Sequence, residues 1–358
     1  MSNKIPSYED FLIEVERKNI VMFSHPTIPN LVGFNYLDSV TYDKKWNNVN
    51  IWARGIVFHN KKCIAIPFTK FFNIEEVDSS FMERKVSFAQ EKEDGSLIIS
   101  FVIDGDVHFS TRGSFESSQA KMAKEIWNDR HDLFADKNFV KNNTMLFELV
   151  GPSNRIVCRR HKEDNLILLS SINIGSGLEL SQSGSDLLAD LLGCKRPNTY
   201  LVKTPKDIYA IIKANNDPNF EGIVVTLDDG FKLKIKSLKY FELSKAISSL
   251  NSDHYIHDIW QDYEISGLID FKKFFIPDEF YPEVIQKITD ISFEFNKQAS
   301  KWDNSYNFLL SIVKTGKSRK EVAIDNPDLR WMLSDAFSGN EKISNEKYIK
   351  VYRNGFLK

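Results

Sequence analysis

Gln90-Glu91-Lys92-Glu93-Asp94-Gly95-Ser96 sets one lysine between an apolar strand and a glycine turn. Upstream, Val86 and Phe88 alternate with polar neighbours, and downstream Leu97-Ile98-Ile99-Ser100-Phe101-Val102-Ile103 reads as a buried strand. Lys92 therefore falls at a strand edge or junction. Taken alone, Lys-x-Asp-Gly is an ordinary solvated hairpin lysine, so the surrounding chain has to decide its role.

Outward from that stretch the chain alternates strands and turns. Asp104-Gly105 suits a two-residue hairpin that returns as Asp106 to Gly113, which brings Arg112 back toward the Lys92 end. Ile51 to Phe58 predicts a strand with Arg54 at its entrance. A turn at Asn60-Lys61-Lys62 and a second strand over Cys63 to Ile66 complete a hairpin. In Phe68-Thr69-Lys70-Phe71-Phe72-Asn73 a lysine is pressed against aromatics, which by itself reads as a stem covering a core edge. Thr144 to Val150 is an apolar strand interrupted by Glu148, and a buried carboxylate there needs a cation, a donor or an opening to solvent. Period two over Phe231 to Lys236 sends Phe231, Leu233 and Ile235 to one face and Lys232, Lys234 and Lys236 to the other. Three ammonium groups on one strand face require anions or solvent opposite them.

Helical spacing appears over Tyr8 to Arg17, over Ser117 to Asp129, up to Gly193, and after Thr204-Pro205, where threonine caps and proline takes the first position. Beyond Tyr240 the β pattern ceases. Helical segments follow near His254 to Glu264, Pro282 to Trp302, Tyr306 to Val313 and Asp328 to Phe337, which places an all-helical domain from about residue 245. Lys314 to Lys320 is a basic cluster that reads equally as a solvated face or a binding surface.

Composition narrows the class of protein. The 358 residues accommodate two domains, and 42% hydrophobic residues suffice for real cores. With Lys+Arg 47 against Asp+Glu 49, any nucleic-acid contact must come from a local basic surface. Cys63, Cys158 and Cys194 form no Cys-x-x-Cys pair and no disulfide framework, which suits a reducing, cytoplasmic setting. The amino terminus lacks a signal-peptide core, and no apolar run reaches membrane-spanning length.

The order of motifs is more specific than any one of them. Ala53-Arg54-Gly55-Ile56, Lys70-Phe71-Phe72-Asn73, Lys92-Glu93-Asp94-Gly95-Ser96, Arg112-Gly113-Ser114, Phe147-Glu148, Asn154-Arg155-Ile156-Val157, Glu221-Gly222-Ile223-Val224 and Lys234-Ile235-Lys236-Ser237 follow one another in sequence. The series resembles the covalent nucleotidyltransferases and, more closely, the ATP-dependent RNA ligase 1 family of T-even-like phages, across about residues 30 to 240.

That resemblance implies an α+β fold. Residues 1–245 would form an ATP-grasp-like nucleotidyltransferase domain with antiparallel sheets, and residues 246–358 an all-α domain. It implies that Lys92 attacks the α-phosphate of ATP to form lysyl-AMP, that AMP then passes to an RNA 5′-phosphate, and that a 3′-hydroxyl displaces it. ATP and AMP contacts would come from Arg54, Lys70, Phe72, Glu93, Gly95, Arg112, Glu148, Val224, Lys234 and Lys236. Asp94, Glu148 and Glu221 would hold Mg²⁺, with Mn²⁺ as a substitute. Tyr240 and Arg155 are further family-matched candidates. Arg112 departs from the lysine of closer relatives, and a planar fork is not a point charge.

The helical tail, in place of an OB-type barrel, favours RNA joining over DNA joining or capping. The resemblance further implies a monomer acting on RNA, a class that includes tRNA with a broken anticodon loop, alongside a separate end-healing polynucleotide kinase/phosphatase, in the cytoplasm, that of a host if phage-encoded. Lys317, Arg319 and Lys320 are the candidate RNA contacts. Two competing readings stand beside this one: a GTP-using capping-type nucleotidyltransferase, and a non-catalytic RNA-binding protein on a ligase fold.

Overall fold

The computed structural model describes residues 5–131, 137–274 and 276–356. It divides into two compact units, Met1–Phe241 and Glu242–Lys358. In chain order the strands are β1 Ile20–Ser24, β2 Leu31–Tyr36, β3 Arg54–His59, β4 Lys62–Ala65, β5 Phe72–Asn73, β6 Val86–Glu91, β7 Ser96–Ile103, β8 Asp106–Ser110, β9 Asn143–Val150, β10 Asn165–Asn173, β11 Gly222–Leu227 and β12 Lys232–Lys236. The helices of this part are α1 Tyr8–Glu16, α2 Asp38–Tyr42, α3 Ser118–His131, α4 Lys137–Asn142, α5 Gln182–Leu192 and α6 Pro205–Ala214, and α7 Leu238–Leu250 follows β12.

The strands form three four-stranded sheets in the orders β1-β2-β3-β4, β10-β9-β7-β8 and β5-β12-β11-β6. All pairings are antiparallel except the short β12–β5 contact. The first two sheets share a core. Phe34 and Phe58 from the first sheet pack with Ile99, Phe101 and Leu146 from the second, and Phe11 of α1 stacks on Phe34 with ring centroids 5.0 Å apart. The opposite face of the second sheet, with Ile98, Phe147 and Leu166, is covered by Ala123 and Trp127 of α3 and Leu188 and Leu192 of α5. The third sheet has a separate core, in which Ile223, Val225, Leu233 and Ile235 meet Ile208 and Ile212 of α6.

Local chemistry explains the connections. Asp104 and Gly105 both take positive φ, 51° and 89°, which matches a tight hairpin turn to the twist of β7 and β8. Thr204 and Asp207 close a capping box ahead of Pro205, and Gly193 ends α5 in the left-handed conformation. Period two on β12 holds as read. Leu233 and Ile235 are buried, while Lys232, Lys234 and Lys236 turn to the other face.

The second unit is helical, with α8 Asp253–Ser266, α9 Tyr281–Val313, α10 Arg319–Asp325, α11 Leu333–Phe337 and α12 Asn345–Phe356. Trp260 is fully buried and packs against Phe295 and Tyr352, with centroids at 5.1 and 5.3 Å. The two helices expected over Pro282 to Trp302 and Tyr306 to Val313 are one 33-residue helix. Nothing between Trp302 and Tyr306 breaks a helix, and Phe295, Tyr306 and Leu309 continue one buried stripe across the expected gap. No helix among the described residues is long and apolar enough to cross a membrane.

Candidate active site

The chain crosses from the third sheet to the second through Lys92-Glu93-Asp94-Gly95, because β6 ends at Glu91 and β7 begins at Ser96. The crossing is held at both ends. The Lys92 N–H donates to the Gly222 carbonyl at 2.8 Å, and the Glu91 N–H donates to the Asn198 carbonyl at 2.7 Å. At the other end Gly95 lies so close to β9 that a Cβ would overlap the Leu149 carbonyl oxygen and stand 3.1 Å from Glu148 Cγ. Only glycine permits that approach, and the approach sets Glu148 beside the lysine segment.

The Lys92 amine donates to Glu221 Oε2 at 2.8 Å and to the Glu93 carbonyl at 3.3 Å. Its side chain is 23% exposed and that of Glu221 only 3%. Burial works against the charged amine, but Glu221 and then Glu148 more than offset it, so its pKa stands above the ordinary lysine value. The same Glu221 carboxylate accepts from Lys236 through Oε1 at 2.9 Å. Gly222 makes this sharing possible: its φ is +150°, and a Cβ would press on Lys236 Cα at 2.8 Å. Lys236 also lies over the Tyr240 ring at 4.8 Å.

The register of β11 with β12 sets Val224 opposite Lys234 and Gly222 opposite Lys236. Val224, 6% exposed, therefore shares the lysine face rather than the core face. Lys234 has no hydrogen-bond or ion-pair partner among the described residues. Burial, together with Lys70, Lys236, Lys92 and Arg54, pulls its pKa down to about 8. Lys92 and Lys236 are paired with Glu221 and Lys70 with Glu76, so Lys234 is the ammonium of this face left for an anion. Lys232 leaves the group, because its amine is taken by Glu179 at 2.9 Å and Thr226 at 2.9 Å.

Glu148 projects from β9 into the same region and has no hydrogen-bond or ion-pair partner among the described residues. Burial raises its pKa to about 8, against the pull of Lys92 and reinforced by Glu221, Glu93 and Asp94. Such a carboxyl is ready for a cation. No group of three or more His, Cys, Asp or Glu side chains is arranged to hold a metal among the described residues. Mg²⁺-type ions take one or two protein carboxylates and complete their shell with water and phosphate oxygens; Glu148 is the unpaired carboxylate that fits, and Glu221, whose two oxygens are held by Lys92 and Lys236, would join it by exchanging one of those amines.

Asp94, expected as a third metal carboxylate, is otherwise engaged. Its Oδ2 accepts the N–H groups of Val157 and Cys158 at 2.7 and 2.6 Å, and its Oδ1 accepts the Tyr240 hydroxyl at 2.7 Å. With these donors it anchors the loop and Tyr240 to the lysine segment. Tyr240 is 3% exposed.

The remaining expected nucleotide contacts fall into two groups. Arg54 feels both Arg112 and Glu148, and burial lowers its pKa; its Nη1 donates to the Thr69 carbonyl at 2.9 Å, while its buried Nε has no partner. Lys70 is tied to Glu76 at 3.0 Å and lies over Phe72 at 4.8 Å, and Phe72 stacks on Phe231 at 5.2 Å. Arg112 donates to the Tyr36 hydroxyl at 3.0 Å. Glu93 is bound by Arg160 and by His161 at 3.1 Å. Arg155 is exposed. Its neighbour Asn154 instead ties the turn down, donating to the Leu149 carbonyl at 2.7 Å and accepting from Ser96 at 3.1 Å. Lys317, Arg319 and Lys320 belong to the second unit and are exposed, with Lys317 paired to Asp325 at 3.0 Å. Sequence reading missed Arg160, His161, Asn198 and Glu76, whose irregular segments carry no periodic signal, and named Asn154 only as part of a motif in which Arg155 was the candidate.

A relative from Thermovibrio ammonificans, named "Putative RNA ligase", is 26% identical over 218 residues, which is 58% of this chain and 57% of that protein. Among solved structures, an archaeal ATP-dependent RNA ligase covers 80% of this chain and 76% of its own, at 13% identity and a TM-score of 0.49. A structure named "Putative ATP-dependent DNA ligase" from Aquifex aeolicus covers 93% and 78%, at 16% identity and the same TM-score of 0.49. The family model described as RNA ligase matches residues 52–240, more than half of the chain and every motif from Arg54 to Tyr240. The chain belongs to the RNA ligase family.

Proposed function

We propose that the protein is an ATP-dependent RNA ligase that joins 5′-phosphate and 3′-hydroxyl ends through an adenylate on Lys92. The observation that carries the reading is the Lys92 amine, 2.8 Å from Glu221, at the crossing between two sheets and beside the unpaired Lys234. A phosphate chain lying on Lys234 and Lys236 would bring its α-phosphorus to that amine. There the lysine nitrogen forms a bond to phosphorus as the bond to pyrophosphate breaks. Glu221 is placed to receive the proton that the amine sheds. A 5′-phosphate oxygen then displaces the lysine nitrogen to give an RNA-adenylate, and a 3′-hydroxyl displaces AMP. The reaction consumes one ATP and releases one AMP and one pyrophosphate.

A divalent ion on Glu148 and Glu221 would supply charge neutralisation of the phosphates during these transfers. Mg²⁺ is the ion this donor set favours, with Mn²⁺ able to replace it. Within the chain, Lys234 and Lys236 stabilise the charge that develops at phosphorus, and Val224 on the same strand face offers an apolar surface for the base. We further propose RNA repair, with tRNA carrying a broken anticodon loop as the substrate class and a separate end-healing enzyme supplying the two ends. The family match supports RNA as substrate, and the three free thiols suit a cytoplasmic setting.

Incubation with α-labelled ATP and Mg²⁺, followed by denaturation, should leave label on the wild-type protein and none on Lys92→Ala. Absence of label on the wild type, equal label on the variant, or preferential labelling by GTP would each overturn the proposal.

A further inference from the structure

Arg160 lies in the loop that follows the Pro152–Asn154 turn, outside the strands that carry the site. Its guanidinium spans two carboxylates, with Nη1 on Glu91 and Nη2 on Glu93. Both are desolvated, with side chains 5% and 6% exposed. Asn198 donates to Glu91 at 2.8 Å, and His161 Nε2 lies 3.1 Å from Glu93. These two glutamates flank Lys92 on either side in sequence. Without the guanidinium, two buried carboxylates on either side of Lys92 would lose their cation, and the segment between them would lose the tie that holds it.

We propose that Arg160 is the positioning residue for the nucleophile: its fork ties down Glu91 and Glu93, the residues on either side of Lys92, and so fixes the short segment that aims the amine at Glu221 and the lysine-faced strand. The inference deepens the ligase reading and rests on it. A planar guanidinium can bridge two carboxylates, whereas a point ammonium grips one. Arg160 touches neither Lys92 nor the phosphate-side lysines, so its influence acts on aim rather than on nucleotide affinity.

The test compares Arg160→Ala, Arg160→Lys and the double variant Arg160→Ala/Glu93→Gln by single-turnover adenylate formation over a range of ATP concentrations. In Arg160→Ala the rate at saturating ATP should fall about 10- to 100-fold, with half-saturating ATP changed by less than about twofold. Adding Glu93→Gln removes the buried charge that Arg160→Ala leaves without its cation and should restore at least about threefold of the loss, with Arg160→Lys between the extremes. Equal rates for the single and double variants, or an effect confined to half-saturating ATP, would overturn the inference. Amide hydrogen exchange at Glu91 and Lys92 provides a readout that needs no ATP. Faster exchange there in Arg160→Ala, with the interior of β11 unchanged, supports the clamp, and unchanged exchange overturns it. If the wild type itself takes no label, the ligase reading fails, and the clamp is still judged by that exchange.

Discussion

Gly95→Ala is the sharpest perturbation available at the crossing. Real Cβ atoms essentially never approach another heavy atom within 3.0 Å, yet a methyl on residue 95 would already stand 3.0 Å from the Leu149 carbonyl carbon. The attached oxygen, about 1.23 Å from that carbon, faces the methyl and lies well inside the limit, so clearing it takes a shift of about 1 Å. The obstacle is backbone in the central part of a sheet, so no rotamer change relieves it; the lysine segment itself has to move. A misplacement of about 1 Å in a reacting group costs about 100-fold in rate, and overpacking of this kind costs about 1 to 3 kcal/mol in stability. The assay is single-turnover adenylation at saturating ATP together with urea unfolding. The expected result is a rate loss of about two orders of magnitude with the protein still folded. A rate within about threefold of wild type would refute the claim that close contact between residue 95 and β9 sets the position of Lys92.

Other outcomes follow from single contacts. Glu148 has its pKa raised to about 8 in the fold from 4.5. Between those values the folded state keeps a proton that the unfolded chain has released, so stability falls as pH rises through that window. Glu148→Gln should therefore gain stability over wild type between pH 5 and pH 8 in the presence of a chelator, by up to about 4 kcal/mol, and should lose adenylation. Equal differences in urea unfolding at the two pH values would contradict this. Tyr240→Phe strips one donor from buried Asp94 and keeps the ring under Lys236, and should cost about 1 to 3 kcal/mol in urea unfolding. An unchanged midpoint would show that the hydroxyl contributes nothing net.

Much of the frame is written in short-range pattern. The alternation from Phe231 to Lys236 announces its two faces, and Asp104-Gly105 announces its turn, because period and turn chemistry act over a few residues. The lone Glu148 in an apolar strand was likewise legible as a group wanting a partner. What the pattern cannot carry is contact between distant segments. Asp94 is claimed by backbone N–H groups 63 and 64 residues away, which turns an expected metal ligand into an anchor. Arg160 reaches Glu91 across 69 residues from an irregular loop, and Lys232 leaves its strand-mates for Glu179. Arg155 and Asn154 show the same limit at a single step: the turn geometry buries the asparagine and exposes the arginine.

The four residues from Lys92 to Gly95 are also a mechanical joint. The sheet carrying Glu148 and the sheet carrying Lys234 and Lys236 have separate hydrophobic cores, and polar ties such as Arg160 to Glu91 and Lys232 to Glu179 join them. A polyphosphate gripped from both sides would act as a removable crosslink between two rigid plates, with the reactive amine riding on the axle. In the proposed reaction, release of pyrophosphate would remove part of that crosslink while AMP stayed on Lys92. The half of the cleft vacated by pyrophosphate would then be the half left for an incoming RNA end.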